Sequence, residues 1–261
     1  MPPSRSEATL AASPRRRLET AARMLAVALV IAPLTVVLGI AHMLVSLLAL
    51  PGRPERVIER VYFGALLKLS GVRVAVSGWE HVRPDHAYVF MPNHRSWMDV
   101  PILHVALGGR DIRWVGKKEI VPVPFFGWAF GLSRHIKIDR GNRERGIRAI
   151  RSAAQVGGGG VSVVIFPEGT RSVNEDLLPF KKGGFHLALD AGLEILPVAI
   201  SGTERIMRKR EWILRPGTAH VTFIPPVAPL PGGKAALPDL MRAVRERIQG
   251  ALSQPIAKEV A

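Results

Sequence analysis

Residues 93–99, Asn-His-Arg-Ser-Trp-Met-Asp, place a histidine and an aspartate five positions apart, directly after an apolar run. That run, residues 87–91, predicts a buried strand, and the apolar residues 100–107 predict a helix. Five positions span about 140° on a continuous helix, so the two side chains share no helical face. They meet only if His94 lies on the turn and Asp99 in the first helical turn. Asp99 would then accept a hydrogen bond from one imidazole nitrogen and leave the other as a base towards a substrate hydroxyl.

The same residues also fit a purely structural pattern. Ser96 and Asp99 have the spacing of a capping box, in which Asp99 would only mark the start of the helix. A single exposed histidine is most often an ordinary surface residue. The seven residues by themselves therefore leave both interpretations open, a catalytic pair and a helix cap.

The composition restricts the classes of function. The 261 residues suffice for one large α/β domain with appendages, and 36 Lys and Arg against 21 Asp and Glu give a net charge of +15. Such a charge implies an anionic partner: nucleic acid, a membrane surface or a phosphate-bearing substrate. The absence of cysteine excludes disulfides, thiolate nucleophiles and cysteine-ligated zinc. The scattered histidines form no H-E-x-x-H pair, so no metal site is predicted.

The N-terminal part predicts a membrane attachment. Residues 1–23 are rich in arginine and indicate a basic tail, disordered or loosely helical. Residues 24–50 contain no Asp, Glu, Lys or Arg, and as one helix they would reach about 40 Å, more than the ~30 Å hydrocarbon core requires. A signal peptide is the competing interpretation, but the run is long and no A-x-A cleavage site follows. Arginines flank both ends, and Pro33 and Gly39 could bend the segment, so spanning, lying in one leaflet and a re-entrant hairpin all stay open.

A second helix is predicted at residues 54–69. Its apolar anchors would be Val57, Val61, Leu66 and Leu67, and its cations Arg56, Arg60 and Lys68. Such a helix could lie at the membrane interface or pack on the domain. The chain thus divides into a basic tail (1–23), membrane-attached and interfacial helices (24–70) and an α/β domain (71–261).

From residue 72 onwards, strand and helix patterns alternate. Strands are predicted at 72–76, 88–91, 112–115, 135–138, 161–166, 194–200 and 221–224, and helices at 100–107, 143–156, 179–191 and 238–252. Residues 121–131 carry two prolines and four aromatics, which predicts a loop in a groove or facing a membrane, or a local aromatic core. The alternation predicts an α/β fold with a mixed, largely parallel sheet flanked by helices.

Polar turns follow four of these strands, where α/β sheets bind their ligands. They are residues 94–99, Lys117-Lys118, Asp139-Arg140 and residues 168–171. In the last turn, Gly169 lets the backbone approach a ligand, Thr170 offers a hydroxyl, and Arg171 offers a planar charged fork suited to phosphate or carboxylate. The alternative is a structural turn with an internal pair between Glu168 and Arg171.

Two blocks of this chain resemble the glycerolipid acyltransferases, among them the bacterial 1-acyl-glycerol-3-phosphate acyltransferases. They are Asn93-His94-x-Ser96-x-x-Asp99 and Phe166-Pro167-Glu168-Gly169-Thr170-Arg171-Ser172, about 70 residues apart. Ile138-Asp139-Arg140 resembles the second family motif, although Lys137 stands where an aromatic or aliphatic residue is expected, and Leu196-Pro197-Val198 resembles the fourth. The resemblance covers about residues 55–225.

The resemblance implies a catalytic mechanism. His94 would be the general base that deprotonates the free hydroxyl of a lysophospholipid, and Asp99 would orient and stabilise it. The hydroxyl would attack the thioester of acyl-CoA or acyl carrier protein without a covalent enzyme intermediate. Ser96 remains a conceivable but disfavoured nucleophile.

It also implies the binding residues. Arg171, with Gly169 and Thr170, would hold the acceptor phosphate, and Glu168 would position Arg171 or the acceptor. Further anion contacts would come from Arg140 and from Lys117 or Lys118, the lysines being candidates to contact the developing oxyanion. No metal or bound cofactor is implied.

Acceptor and product of such an enzyme, a lysophospholipid and phosphatidic acid, reside in the bilayer, which gives the apolar segment a purpose. The resemblance thus implies a bacterial-type inner membrane with the catalytic domain facing the cytoplasm, because the acyl donor is cytosolic. The alternatives are another acceptor, such as a lyso-ornithine lipid (a choice to which Lys137 would contribute), and a non-catalytic lipid-binding relative. Nucleic-acid binding is disfavoured, because the basic residues follow no nucleic-acid motif and the apolar segment does not suit that function.

Overall fold

The computed structural model describes residues 14–48, 53–138, 161–173, 176–229 and 233–254. The helices in these ranges are α1 (Pro14–Leu47), α2 (Arg53–Leu69), α3 (Asp99–Ala106), α4 (Phe126–Leu132), α5 (Lys182–Ala191), α6 (Thr203–Ile206) and α7 (Leu237–Ser253). The strands are β1 (Val72–Ser77), β2 (Tyr88–Pro92), β3 (Ile112–Lys117), β4 (Ile136–Ile138), β5 (Ser162–Val164), β6 (Glu194–Ser201) and β7 (Gly217–Phe223). The predicted helix at 143–156 lies outside the described residues.

The strands form one mixed sheet in the order β1-β7-β6-β2-β5-β3-β4. All neighbours are parallel except β6 and β7, which are antiparallel. Strands β2 to β6 therefore all end on one side of the sheet, which we call its carboxyl end, while β1 and β7 end on the opposite side. The predicted fold class, a largely parallel sheet flanked by helices, is confirmed.

The central strands are apolar because both of their faces are buried. On β2, Tyr88 and Phe90 face a core shared with α3, whereas Val89 and Met91 face a second core shared with α5 and α7. The period of two that alternates side chains across a strand divides one apolar run between two cores. Helices thus cover both faces of the sheet, and the polar turns are left at its carboxyl end.

The prediction of a loop at residues 121–131 is wrong for its second half, which forms α4. Both prolines precede the helix, where no intrahelical N–H bond is lost. Helix α4 packs against α1, where Gly39 allows a close approach: a Cβ atom at Gly39 would lie 3.1 Å from Cβ of Phe125. A contact with a segment about 85 residues away therefore supports a helix that the local composition disfavours.

Helix α1 begins at Pro14, so it includes residues 14–23 of the predicted basic tail. The residues whose side chains are less exposed recur every three or four positions, at Met24, Val27, Ile31, Thr35, Leu38, His42 and Ser46. This stripe is the face that packs on the protein, and it runs along most of the helix. The other faces expose large apolar side chains. In the described part of the chain, Leu18–Leu47 is one stretch long and apolar enough to cross a bilayer.

Helix α2 packs antiparallel to α1, and part of this contact is polar. Of the four predicted apolar anchors, Leu67 is buried in the core and Leu66 is partly buried. Val57 and Val61 are instead 61% and 51% exposed, whereas Glu55 is buried. The Oγ of Ser46 on α1 donates a hydrogen bond of 2.7 Å to Glu55. The prediction was wrong for Val57 and Val61, because the partner of α2 is a helix that presents polar side chains at the contact, and the sequence of α2 does not reveal this.

A buried cluster of Glu59, His42, His104 and His135 joins this helix pair to the domain. Oε1 of Glu59 lies 3.1 Å from Nε2 of His42 and 2.9 Å from Nε2 of His135, and Oε2 lies 3.8 Å from Nδ1 of His104. Burial alone would raise the pKa of Glu59, but attraction and hydrogen bonds from His135 and His42 hold it well below its usual value. Burial lowers the pKa of His104 from 6.5 to about 4, against the attraction of Glu59.

These shifts predict that acid destabilises the fold. Because the pKa of His104 is lower in the folded chain, the unfolded chain takes up the proton first, and stability is lost as the pH falls from about 6.5 towards 4. Between pH 7 and pH 5 this one group should cost about 2 kcal/mol of unfolding free energy. Denaturant unfolding of His104→Phe, compared with wild type at both pH values, should show a pH dependence smaller by that amount. The same change at the more exposed His81 should leave it unaltered, and equal pH dependence in wild type and His104→Phe would contradict the prediction.

Candidate functional site

The turn from β2 into α3 leaves the sheet at its carboxyl end and is held there by Asn93. Its amide donates to the carbonyl of Ile200 at 2.9 Å and accepts from the N–H of the same residue at 2.7 Å. The buried side chain thus continues the pairing of β2 with β6 beyond the last backbone pair. His94, the next residue, starts its turn from a fixed position.

His94 and Asp99 meet as the spacing requires, with His94 on the turn and Asp99 as the first residue of α3. Nδ1 of His94 lies 2.8 Å from Oδ2 of Asp99, and Oδ2 also accepts the backbone N–H groups of Arg95 and Ser96 at 2.7 and 2.8 Å. Because an ionised carboxylate only accepts, the imidazole carries its proton on Nδ1 and presents a lone pair on Nε2. The two interpretations of Asp99 are therefore compatible, since one oxygen secures the helix start and the imidazole together.

Ser96 is engaged as a structural residue. Its fully buried hydroxyl donates to the carbonyl of Met207 at 2.7 Å and accepts from the N–H of Met98 at 3.2 Å. A hydroxyl whose proton is already given to a backbone carbonyl is poorly placed as a nucleophile.

Glu168 ties the turn after β5 to the turn after β2. Oε1 accepts the backbone N–H of His94 at 2.7 Å, and Oε2 accepts the N–H of Leu178 at 2.9 Å. The N–H of Ser172 adds a bond of 2.8 Å to the carbonyl of His94. Burial raises the pKa of Glu168, and the two backbone bonds offset part of that rise. Both oxygens thus serve the backbone of the site, and the internal pair with Arg171 considered above is not formed.

Arg171 contacts Trp97, an aromatic residue of the turn that carries His94. Its guanidinium stands 4.4 Å from the centre of the Trp97 ring, a cation–π geometry, and its carbonyl accepts from Nζ of Lys209 at 2.6 Å. Burial lowers the pKa of Arg171. Thr170 is exposed beside it, and Gly169 has φ +67°, with the Lys181 side chain 3.0 Å from where a Cβ would be. The turn therefore offers a cation and a hydroxyl on a backbone that favours glycine.

Phe166 is a site residue whose role the sequence did not reveal. Its ring stacks on the His94 imidazole, with 3.9 Å between ring centres and 23° between planes, and Trp114 follows at 6.3 Å from Phe166. The hydrogen bond to Asp99 alone would let the imidazole ring rotate about that bond, and the stacking on Phe166 fixes the orientation of the ring plane. The position of Phe166 directly before Pro167 and Glu168 could have indicated a role in the site, but a phenylalanine at the end of a predicted strand is usually assigned to the core. Trp97 lies between His94 and Asp99 in the first motif, and its contact with Arg171 was likewise not predicted.

The lysines predicted as anion contacts lie at the same end of the sheet. Lys117 is the last residue of β3, which neighbours β5, and Lys118 begins a short 3₁₀ turn. Lys137, which departs from the family motif, donates from Nζ to the carbonyls of Gly131 and Ser133 at 2.6 and 3.1 Å. It thus satisfies carbonyls at the end of α4.

Arg140, the other predicted anion contact, lies outside the described residues, as does Asp139. Among the residues that the structure describes, no group of three or more His, Asp or Glu side chains has a geometry that could hold a metal ion. The His94 turn and the Arg171 turn are thus the site residues that the described contacts bring together.

Comparisons with known proteins agree with this geometry. Residues 73–201 match the family model described as Acyltransferase. A 1-acyl-sn-glycerol-3-phosphate acyltransferase of Limnanthes alba is 36% identical over 165 residues, 63% of this chain and 58% of the relative. The alpha form of Homo sapiens is 35% identical over 182 residues, 69% of this chain and 62% of the relative. The chain thus spans about three fifths of the length of the curated relatives it matches.

Among solved structures, the 1-acyl-sn-glycerophosphate acyltransferase PlsC of Thermotoga maritima superposes with a TM-score of 0.73, covering 93% of this chain and 100% of that one at 23% identity. At that identity the match establishes the fold. The family model includes both turns of the candidate site, the His94 turn and the Arg171 turn. Residues 73–201 of this chain thus match the acyltransferase family, and the curated relatives that resemble the chain carry acyltransferase names.

Proposed function

We propose that the protein transfers an acyl chain from an acyl thioester to the free sn-2 hydroxyl of 1-acyl-glycerol-3-phosphate, giving phosphatidic acid. The observation that carries the proposal is the His94–Asp99 pair, tied through Glu168 to the turn that presents Arg171. A base for a hydroxyl and a cation for a phosphate thus stand on two joined turns. The activity named for the curated relatives is of this kind.

In the proposed mechanism, Nε2 of His94 removes the proton from the acceptor hydroxyl as its oxygen attacks the thioester carbonyl. The carbon–oxygen bond forms and the carbonyl electrons move onto an oxyanion. When the oxyanion collapses, the carbon–sulfur bond breaks and the departing thiolate takes the proton back from Nε2. The products are the ester and a free thiol, of CoA or of acyl carrier protein. Asp99 stabilises the transient imidazolium, since its carboxylate lies 2.8 Å from Nδ1.

The binding roles follow from charge and position. Arg171, assisted by Gly169 and Thr170, holds the acceptor phosphate, and Glu168 positions the backbone of both turns. Lys117 or Lys118 and Arg140 contribute further positive charge towards the acyl donor or the oxyanion. A donor that carries phosphates, or an acidic carrier protein, suits these cations equally.

The membrane attachment follows from α1. Its packed stripe extends from Met24 to Ser46, so this part of the helix follows the protein surface, while its remaining faces expose apolar side chains. We infer that α1 lies in one leaflet beside the domain, with the catalytic domain on the cytoplasmic side of a bacterial-type inner membrane. The acceptor then reaches the carboxyl end of the sheet from the bilayer, and the donor reaches it from the cytosol.

The test of the proposal is acyl transfer by the detergent-purified full chain. Labelled acyl-CoA is supplied with lysophosphatidic acid, a lyso-ornithine lipid or glycerol-3-phosphate, and acyl carrier protein thioester replaces the CoA donor in a second series. We expect phosphatidic acid to form from lysophosphatidic acid. If product forms from the lyso-ornithine lipid alone, the proposed reaction type stands and the proposed acceptor is wrong. Failure of every pair would favour the non-catalytic alternative.

The phosphate role of Arg171 is tested by Arg171→Lys. A lysine keeps the charge but lacks the planar fork that binds two phosphate oxygens. We expect KM for lysophosphatidic acid to rise about tenfold, the equivalent of ~1.4 kcal/mol, with kcat changed much less. The matched change Arg242→Lys, on the exposed side of α7, should alter neither constant. A KM equal to wild type in Arg171→Lys would remove Arg171 from the phosphate site.

A further inference from the structure

Residues 207–214, which we call the Trp212 segment, form an exposed surface at the carboxyl end of the sheet. They follow β6 and α6 and lead to β7. Trp212 is 75% exposed, and Ile213 beside it is also exposed. Arg208 and Arg210 add two exposed cations. The apolar surface of an exposed indole is unfavourable in water, whereas an indole beside cations is a combination suited to the surface of a bilayer.

The segment is joined to both turns of the candidate site. The carbonyl of Met207 accepts the hydroxyl of Ser96, on the turn that carries His94. Nζ of Lys209 donates to the carbonyl of Arg171. These two bonds hold the Trp212 segment in a fixed place beside both turns of the candidate site.

The segment also adjoins the apolar surface of α1. Trp212 and Leu214 line a mostly apolar cavity of about 280 Å³ together with Met24, Val27 and Ile31 of α1. The same stretch of α1 also exposes the large apolar side chains of Leu25 and Leu29. Helix and segment therefore present one continuous apolar surface beside the site.

We propose that the Trp212 segment is a second membrane contact of the protein, beyond α1, and that its partner is an anionic phospholipid bilayer. The Trp212 indole lies at the lipid–water interface, and Arg208 and Arg210 bind headgroup phosphates. The contact sets the openings of both turns at the level where a lipid acceptor presents its hydroxyl and phosphate. The role of this contact in acceptor binding rests on the proposed function. The membrane contact itself does not depend on whether the protein catalyses acyl transfer.

The first test needs no turnover. The full chain is bound to vesicles of phosphatidylglycerol and phosphatidylethanolamine that carry bromine on their acyl chains, and quenching of tryptophan emission is measured. Trp212→Phe should remove a clear share of the quenching. The control is Trp79→Phe: Trp79 is 41% exposed but follows β1, which ends on the opposite side of the sheet, so the quenching should persist. Equal quenching in wild type and Trp212→Phe would overturn the proposal.

A second test separates the contact from the chemistry. Trp212→Ala should raise the apparent KM for lysophosphatidic acid in vesicles about fivefold to tenfold. With a short-chain, water-soluble analogue of the same acceptor, kcat and KM should stay within about twofold of wild type. An equal loss on both acceptors would assign Trp212 to the structure of the site and overturn the membrane role. If no acceptor is turned over, the proposed function fails, while the quenching result still decides the contact.

The cations provide an independent variant that leaves the aromatic intact. Each cation near an anionic membrane surface contributes a several-fold gain in partitioning. Arg208→Gln with Arg210→Gln should therefore lower partitioning into the anionic vesicles roughly tenfold, with less effect in high salt. On vesicles of phosphatidylcholine alone, the variant and wild type should bind alike. Loss of binding to both vesicle types, or to neither, would contradict the assignment.

Discussion

Replacing His94 by alanine is expected to lower kcat of acyl transfer by about 10³- to 10⁴-fold, the upper part of what a positioned general base contributes. The fold should survive, because the backbone of His94 keeps its bonds to Glu168 and Ser172. The side chain itself contributes a single hydrogen bond to Asp99 and the stacking on Phe166. The loss should therefore appear in turnover and not in the unfolding transition.

The measurement compares initial rates and thermal unfolding of wild type, His94→Ala and His81→Ala. His81 lies in the short turn after β1, on the side of the sheet opposite to the site, and serves as the matched histidine control. We expect wild-type rates for His81→Ala and melting temperatures within a few degrees for all three proteins. Turnover of His94→Ala within about tenfold of wild type would exclude His94 as the base.

Changing Asp99 to asparagine is expected to lower kcat by about 10³-fold. If the amide oxygen keeps the bonds to the N–H groups of Arg95 and Ser96, the charge that stabilises the imidazolium is lost. If the amide nitrogen faces Nδ1 instead, the imidazole proton moves to Nε2 and the base is no longer available. Both outcomes leave His94 present but inactive.

The double variant tests whether the two residues act as one unit. When His94 is already alanine, Asp99→Asn has no imidazole left to orient, so the double variant should be no slower than His94→Ala alone. Some loss of stability is expected, because the buried carboxylate accepts three hydrogen bonds. Multiplicative losses in kcat would show that Asp99 supports catalysis by a route that does not include His94.

Much of the architecture was readable from local patterns. The apolar runs at β2, β5 and β6 predicted buried strands, because strands covered on both faces need apolar side chains throughout. The five-residue separation of His94 and Asp99 predicted that one lies on a turn and the other in a helix, and their bond has that form. These inferences succeeded because each depends on backbone geometry within a few residues.

The wrong predictions concern segments whose conformation or orientation depends on contacts with residues far away in the sequence. Of the four apolar anchors predicted for α2, Leu67 is buried, but Val57 and Val61 are exposed, because the contact with α1 turns Glu55 and Glu59 inward. A helix formed at Phe126–Leu132 although its composition favours a loop, because it packs on α1. Periodicity records which residues are alike in polarity, and it does not record which surface they meet.

The sequence by itself determined which residues the candidate site contains and their order along the chain: a histidine with its carboxylate partner, and a Gly-Thr-Arg turn after a buried strand. Only the tertiary structure decided how these parts join. Glu168 binds the backbone of His94 instead of Arg171, Phe166 stacks on the imidazole, and Arg171 rests on Trp97. The physical reason is the strand order: β5 lies beside β2 although 69 residues separate Pro92 from Ser162, and only that neighbourhood brings the two turns within hydrogen-bonding distance.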